Sequence, residues 1–114
     1  RGDLAGAARF YRESLAIRRE IGDRQGEANS LGNLGNLAKK GGNYAEAEQF
    51  LKKSLSINKE IGNRASEATC LFNLGTIETY YGNIDEKHRY YTEAVRIRRE
   101  IGIPIPKWYI DNGY

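Results

Sequence analysis

The sequence predicts an all-α solenoid, a stack of antiparallel helix pairs about two and a half pairs long. Three observations carry this. First, the 114-residue chain repeats itself every 40 residues. Glu20-Ile21-Gly22 returns unchanged as Glu60-Ile61-Gly62 and Glu100-Ile101-Gly102. Phe10, Leu15 and Ile17 return as Phe50, Leu55 and Ile57, then as Tyr90, Val95 and Ile97. A period of this length marks units that bury their apolar faces only by stacking on one another. Second, apolar residues inside each unit fall three and four apart, the spacing of one helix face. Third, a Gly followed by Asn or Asp punctuates the chain at Gly2-Asp3, Gly22-Asp23, Gly42-Asn43, Gly62-Asn63 and Gly82-Asn83. Gly closes a helix in the left-handed conformation at no steric cost, and Asn or Asp caps the next one.

Five helices follow in order. The first runs from Asp3 to Ile21, with Leu4, Ala7, Ala8, Tyr11 and Leu15 on one face. The second is capped by Asp23, carries Ala28, Leu31, Leu34, Leu37 and Ala38, and ends at Gly41-Gly42. Asn43 caps the third, which carries Tyr44, Ala47, Phe50, Leu51 and Leu55 and ends at Gly62. The fourth, capped by Asn63, carries Ala68, Leu71, Leu74 and Ile77 and ends at Gly82. The fifth, capped by Asn83, carries Ile84, Tyr90, Tyr91, Ala94 and Val95 and ends at Gly102. The tail Ile103-Pro104-Ile105-Pro106 disfavours helix, and Lys107-Trp108-Tyr109-Ile110 suits a short helical turn. The expected organisation is therefore a repeat array over 1–102 (a half repeat 1–22, then repeats 23–62 and 63–102) with a tail or cap over 103–114.

Composition narrows the function. Hydrophobic residues at 39% and charged residues at 29% describe an ordinary globular chain, and no apolar run approaches membrane-span length. The net charge of +3 is too small for a polybasic footprint. Arg18-Arg19, Asn58-Lys59 and Arg98-Arg99 each stand in the last turn before a Gly, where cations suit the helix dipole. A nucleic-acid stripe through Arg18, Arg19, Arg98 and Arg99 is the remote alternative. Cys70 is the single cysteine, so an internal disulfide is excluded; a reducing, cytoplasmic setting is expected. Cys70 reads as a small buried residue beside Leu71. His88 stands without a second His, Cys or paired carboxylate at ligand spacing, so no metal site is expected. Gly41-Gly42-Asn43 lacks the Lys-Ser/Thr of a phosphate loop. No cofactor and no catalysis are expected.

Leu31, Leu34 and Gly35 followed by Ala47, Leu51 and Ser54, and Leu71, Leu74 and Gly75 followed by Tyr91 and Ala94, resemble the tetratricopeptide repeat. Gly35 and Gly75, and Ala7 and Ala47, are small where paired helices come close. The 40-residue unit with Leu31-Gly32-Asn33 and Leu34-Gly35-Asn36 is similar to the branch that includes kinesin light chains and the Leu-Gly-Asn repeat proteins. Two departures stand out. Lys87 replaces the small Ala7 and Ala47, so the last helix pair is expected to pack less tightly. The chain also opens on a second-type helix without its first-type partner and has no initiator Met, so it is expected to be a piece of a longer array.

The resemblance implies a right-handed solenoid and a non-enzymatic protein-interaction scaffold, whose first-type helices line a concave groove. Asn33 and Asn73 are equivalent positions one repeat apart, and Asn36 lies one turn beyond Asn33. An amide both donates and accepts, so such a ladder suits the main chain of a bound peptide. Phe72 and Tyr80 are the expected apolar contacts. A carboxylate clamp of the chaperone-binding type is not implied: Asn36 and Asn73 fit it, but Gly32 stands where its first lysine would. The second reading is self-association, head-to-tail or swapped, through Leu4, Tyr11 and Leu15 on the first helix and Trp108 and Tyr109 in the tail. The other aromatics of the C-terminal third are expected in the core or in a terminal cap.

Overall fold

The computed structural model describes residues 3–114 and contains helices only. They are α1 (Leu4–Ile21), α2 (Arg24–Lys40), α3 (Tyr44–Ile61), α4 (Arg64–Tyr81), α5 (Ile84–Ile101) and α6 (Lys107–Asp111). α2 pairs with α3 and α4 with α5, while α1 lies against α2 and α3 against α4. The result is an all-α solenoid measuring 40 × 30 × 23 Å. No helix among the described residues is long and apolar enough to cross a membrane.

The turns are built as their residues dictate. Gly22, Gly62, Gly82 and Gly102 all close helices at φ between 73 and 79°, which side chains rarely adopt. The α2–α3 turn differs: Gly41 stays right-handed and Gly42 takes the positive φ. Asp3, Asp23 and Asn63 accept from the backbone N–H three residues on. Asn43 and Asn83 occupy the same position without that bond. Asn83 instead donates through Nδ2 to Glu78 Oε1 at 2.7 Å. Glu78 is buried in the last turn of α4, and burial pushes its carboxyl above the ordinary value, with Glu48 and Glu86 adding to the rise. The amide is better used there than at a solvent-accessible helix start.

Three apolar clusters run along the stack. Leu15, Ala28, Leu31, Leu34 and Ile57 join α1, α2 and α3. Ala38, Ala47, Leu51, Leu74 and Ile77 join α2, α3 and α4. Ala68, Leu71, Tyr91, Ala94, Val95, Ile97 and Tyr109 join α4, α5 and α6. The close approaches fall at the expected glycines. A Cβ on Gly35 would lie 2.7 Å from Leu51 Cγ, and one on Gly75 would lie 2.6 Å from Tyr91 Cε1. The expected loosening at Lys87 does not occur: α4 packs on α5 about as extensively as α2 on α3. Tyr91 fills the space over Gly75 that Leu51 fills over Gly35, and Lys87 remains half-buried, which its aliphatic stem permits.

Ion pairs repeat with the same period. Arg24 pairs with Glu27 at 2.8 Å and with Glu60; Arg64 pairs with Glu67 at 2.8 Å and with Glu100 at 2.5 Å. Each arginine thereby ties the start of a first-type helix to the end of the second-type helix after it. Burial alone would raise the Glu27 carboxyl, but hydrogen bonds from Arg19 and Arg24 hold it below its ordinary value. Arg18 pairs with Asp23 at 3.1 Å and Arg19 with Glu27 at 3.0 Å.

The open face of α1 is not the expected one. Leu15 is buried against α2, and Tyr11 packs on the same cluster. Leu4 remains exposed but borders a hollow with Leu34 and Leu37. The bare residues are Phe10, Ile17 and Ile21. Ile17 is 54% exposed, whereas its repeat equivalents Ile57 and Ile97 are 6% and 0% exposed. A second-type helix packs on two sides, against its own partner and against the neighbouring pair. Leu15 serves the α2 side, while the Phe10 and Ile17 side has no described helix against it.

The tail departs from expectation as well. Tyr109 is 2% exposed and belongs to the α4–α5 core, so it is no self-association surface. Trp108 beside it is half-exposed. Tyr114 folds back through its backbone N–H to Tyr109 O at 2.8 Å and meets His88 Nδ1 through its hydroxyl. The short helix closes the last pair as a cap.

Candidate peptide-binding groove

A cleft of about 340 Å³ is lined by residues of α2, α3 and α4. Asn33, Asn36 and Asn73 all line it. Gly32 widens it, because a Cβ there would meet only Ser54 Oγ, at 3.5 Å. Among the described residues the Asn36 Oδ1 is buried and unpaired. Asn73 Oδ1 accepts from Lys39 Nζ at 3.3 Å. Burial, with Lys40 close by, lowers the Lys39 ammonium below its usual value.

Sequence reasoning missed the floor of this cleft. The Ser54 hydroxyl donates to Ala28 O at 2.8 Å, which leaves its oxygen to accept. Asn58 Nδ2 approaches that oxygen at 3.4 Å and the Cys70 thiol approaches it at 3.4 Å. Asn58 Oδ1 is buried without a partner. Burial pushes the Cys70 thiol above its ordinary value, so it stays protonated at neutral pH. The one available signal was that Asn58 interrupts the series Arg18, Asn58, Arg98. The lining residues, Asn29, Asn33, Asn36, Ser54, Asn58, Ser66, Thr69 and Asn73 among them, include no charged side chain. Chemically, the cleft's own groups can exchange hydrogen bonds with a peptide backbone, and the Lys39 ammonium reaches its edge through Asn73.

The other two expected contacts lie elsewhere. Phe72 lines a neighbouring apolar notch of about 250 Å³ with Thr69, Arg98, Pro106, Trp108 and Tyr109. Tyr80 is not brought to the asparagines. It stacks on Tyr44 with ring centroids 3.8 Å apart, in a shallow hollow beside Gly42 and Asn43. Seven residues separate it from Asn73, which moves it about 10 Å along the helix axis. Among the described residues no group of three or more His, Cys, Asp or Glu is placed to hold a metal ion.

Antiparallel helix pairs stacked at a fixed 40-residue period define the class of helical-repeat proteins. The family described as Tetratricopeptide repeat matches residues 1–60 and again residues 40–100. The chain belongs to the tetratricopeptide repeat family, whose members are non-catalytic scaffolds for protein interaction. No curated protein matches it.

Proposed function

We propose that the cleft holds an extended segment of a partner protein, with Asn33, Asn36 and Asn73 pairing with its main chain. The observation that carries this reading is the convergence of the three amides in one polar cleft, with Asn36 Oδ1 buried and unpaired. A buried acceptor left without a donor is costly, and a peptide N–H removes that cost. The 40-residue unit and the Leu-Gly-Asn wording favour the kinesin light chain and Leu-Gly-Asn branch of the family. A cytoplasmic setting agrees with the buried, unpaired Cys70.

The test is capture from host lysate by wild type and by the Asn33→Ala/Asn73→Ala variant, after circular dichroism shows equal helicity. The variant is expected to lose the captured protein. Removing two hydrogen bonds worth about 1 kcal/mol each weakens binding at least tenfold. Identical captures would sink the reading.

A second reading is self-assembly through the bare side of α1, favoured by the exposure of Phe10, Ile17 and Ile21 together. Wild type is expected to sediment as larger species as its concentration rises, and Phe10→Glu/Ile17→Glu to remain a monomer throughout. A wild type that stays monomeric at high concentration overturns it.

A further inference from the structure

The two ends of the solenoid lack opposite halves of a repeat. At one end α1 is a second-type helix, and among the described residues the first-type helix of its own pair is missing. The complete pairs show what that helix supplies. Ile57 packs with Ala28, Leu31 and Leu34 of α2, and Ile97 with Ala68 and Leu71 of α4. Arg24 and Arg64, at the starts of α2 and α4, reach Glu60 and Glu100. Glu20 is the third glutamate of that series, and among the described residues it has no ion pair. Phe10, Ile17, Glu20 and Ile21 are spaced by seven, three and four residues and so share one face of α1.

At the other end a first-type position stands without a second-type helix. Pro106 and Tyr109 line their notch with Thr69 and Phe72, as Ser66 and Thr69 line the asparagine cleft with Asn29 and Gly32 one period earlier. α6 therefore begins where a further first-type helix would. Tyr109 is buried in the α4–α5 core. Lys107, Ile110 and Asp111, three and four apart, make the opposite face. Ile110 is 60% exposed and the Lys107 side chain 85%.

We infer that the chain stacks on itself head to tail: α6 of one copy seats on the bare side of α1 of the next, with Ile110 among Phe10, Ile17 and Ile21 and Lys107 beside Glu20. This deepens the self-assembly reading above and rests on it. The two helices together complete one repeat. Pro104 takes the place of Arg24 and Arg64 in the period, so the cation must come from elsewhere. Arg24 bonds Glu27 and Glu60 at once. The Glu27 position, which is Lys107 two periods on, thus lies within one side chain of the glutamate. An exposed ion pair adds little affinity, but it decides which end meets which. The contact is heterologous: every added copy presents the same two free ends, and the assembly grows as an open row. Two α1 faces paired with each other would instead close at a dimer and leave the tail idle.

The contact is small for a protein interface, so association is expected only at roughly 0.1–1 mM chain. The measurement is sedimentation of the whole chain across that range. Wild type is expected to grow past the dimer. Ile110→Glu is expected to stay monomeric with an unchanged thermal melt, since the side chain it replaces is exposed. Lys107→Glu is expected to weaken association, and Glu20→Lys mixed with it to restore the contact. The deciding sample mixes Ile110→Glu, whose head is intact, with Phe10→Glu/Ile17→Glu, whose tail is intact. Each alone is expected to be a monomer, and the mixture to form a one-to-one dimer and nothing larger. A wild type that stays monomeric overturns both the self-assembly reading and this inference. A wild type that associates while Ile110→Glu associates equally leaves that reading standing and overturns head-to-tail stacking. A mixture that stays monomeric overturns the stacking as well.

Discussion

Gly75→Val is expected to destabilise the chain by about 3 kcal/mol, at the upper end of the cost of overpacking a core. Gly75 is buried in α4 where α5 crosses it, and even a bare Cβ would lie 2.6, 2.8 and 3.0 Å from three carbons of the Tyr91 ring. That ring cannot swing aside. It is 3% exposed and wedged among Ala68, Leu71, Ala94 and Tyr109. Its hydroxyl also meets Thr76 Oγ1 at 3.2 Å. Relief must come from moving α5 as a body, which opens the cluster on both sides. The internal control is Gly32→Ala, in the first-type helix one repeat earlier. There the new Cβ meets only Ser54 Oγ at an ordinary 3.5 Å, and a helix-interior Gly costs roughly 0.5–1 kcal/mol relative to Ala. Thermal melts are therefore expected to move in opposite directions, down for Gly75→Val and up for Gly32→Ala. A Gly75→Val midpoint at or above that of wild type would mean that α4 and α5 do not approach as described.

The contrast between these glycines shows what a sequence of this kind makes legible. Gly35 and Gly75 stand at equivalent places one period apart, so the repeat itself marks them as close crossings. The helix ends were equally legible from Gly at each turn, which acts locally, whereas the caps were only partly so, since Asn43 and Asn83 make no capping bond. Helix identity survived for the same reason. The faces were harder. One stripe of apolar residues on α1 looks sufficient on a helical wheel, yet a stacked helix needs two. The wheel puts Leu4, Tyr11 and Leu15 on the bare side, whereas Leu15 and Tyr11 serve the covered one. The three-way equivalence of Ile17, Ile57 and Ile97 held the answer, since two of the three are core residues.

The candidate site divided along the same line. Asn33, Asn36 and Asn73 were readable because they sit on first-type helices at repeat-related positions. Ser54, Asn58 and Cys70 come from the helix behind and the far side of α4, and only packing places them at the floor. Tyr80 was drawn in by its helix but lies too far along the axis. The burial of Tyr109 was not legible, because the tail continues the period in position, Trp108 falling two periods after Ala28, and not in residue type.

That positional obedience is what Tyr109→Ala tests. Its loss is expected to cost about 3 kcal/mol, the lower part of the range for removing a buried aromatic ring. Tyr109 packs against Phe72, Tyr91, Trp108 and Tyr114 with ring centroids 5.5 to 6.4 Å apart. It covers the apolar cluster that includes Val95 and Ile97. A helix of five residues has no stability of its own, so its docking depends on this one fully buried side chain. Without it the segment beyond Gly102 is expected to detach, which bares Val95 and Ile97 much as Phe10 and Ile17 are bare at α1. The melt should fall, and limited proteolysis should cut near Pro104–Lys107 in the variant while wild type resists. Tyr109→Phe gives the opposite forecast: it keeps the ring and removes a buried hydroxyl that has no partner, so its stability is expected to equal or slightly exceed that of wild type. Equal destabilisation by Ala and Phe would show that the hydroxyl, rather than the ring, anchors the cap. A stable Tyr109→Ala would show that the solenoid closes without its tail.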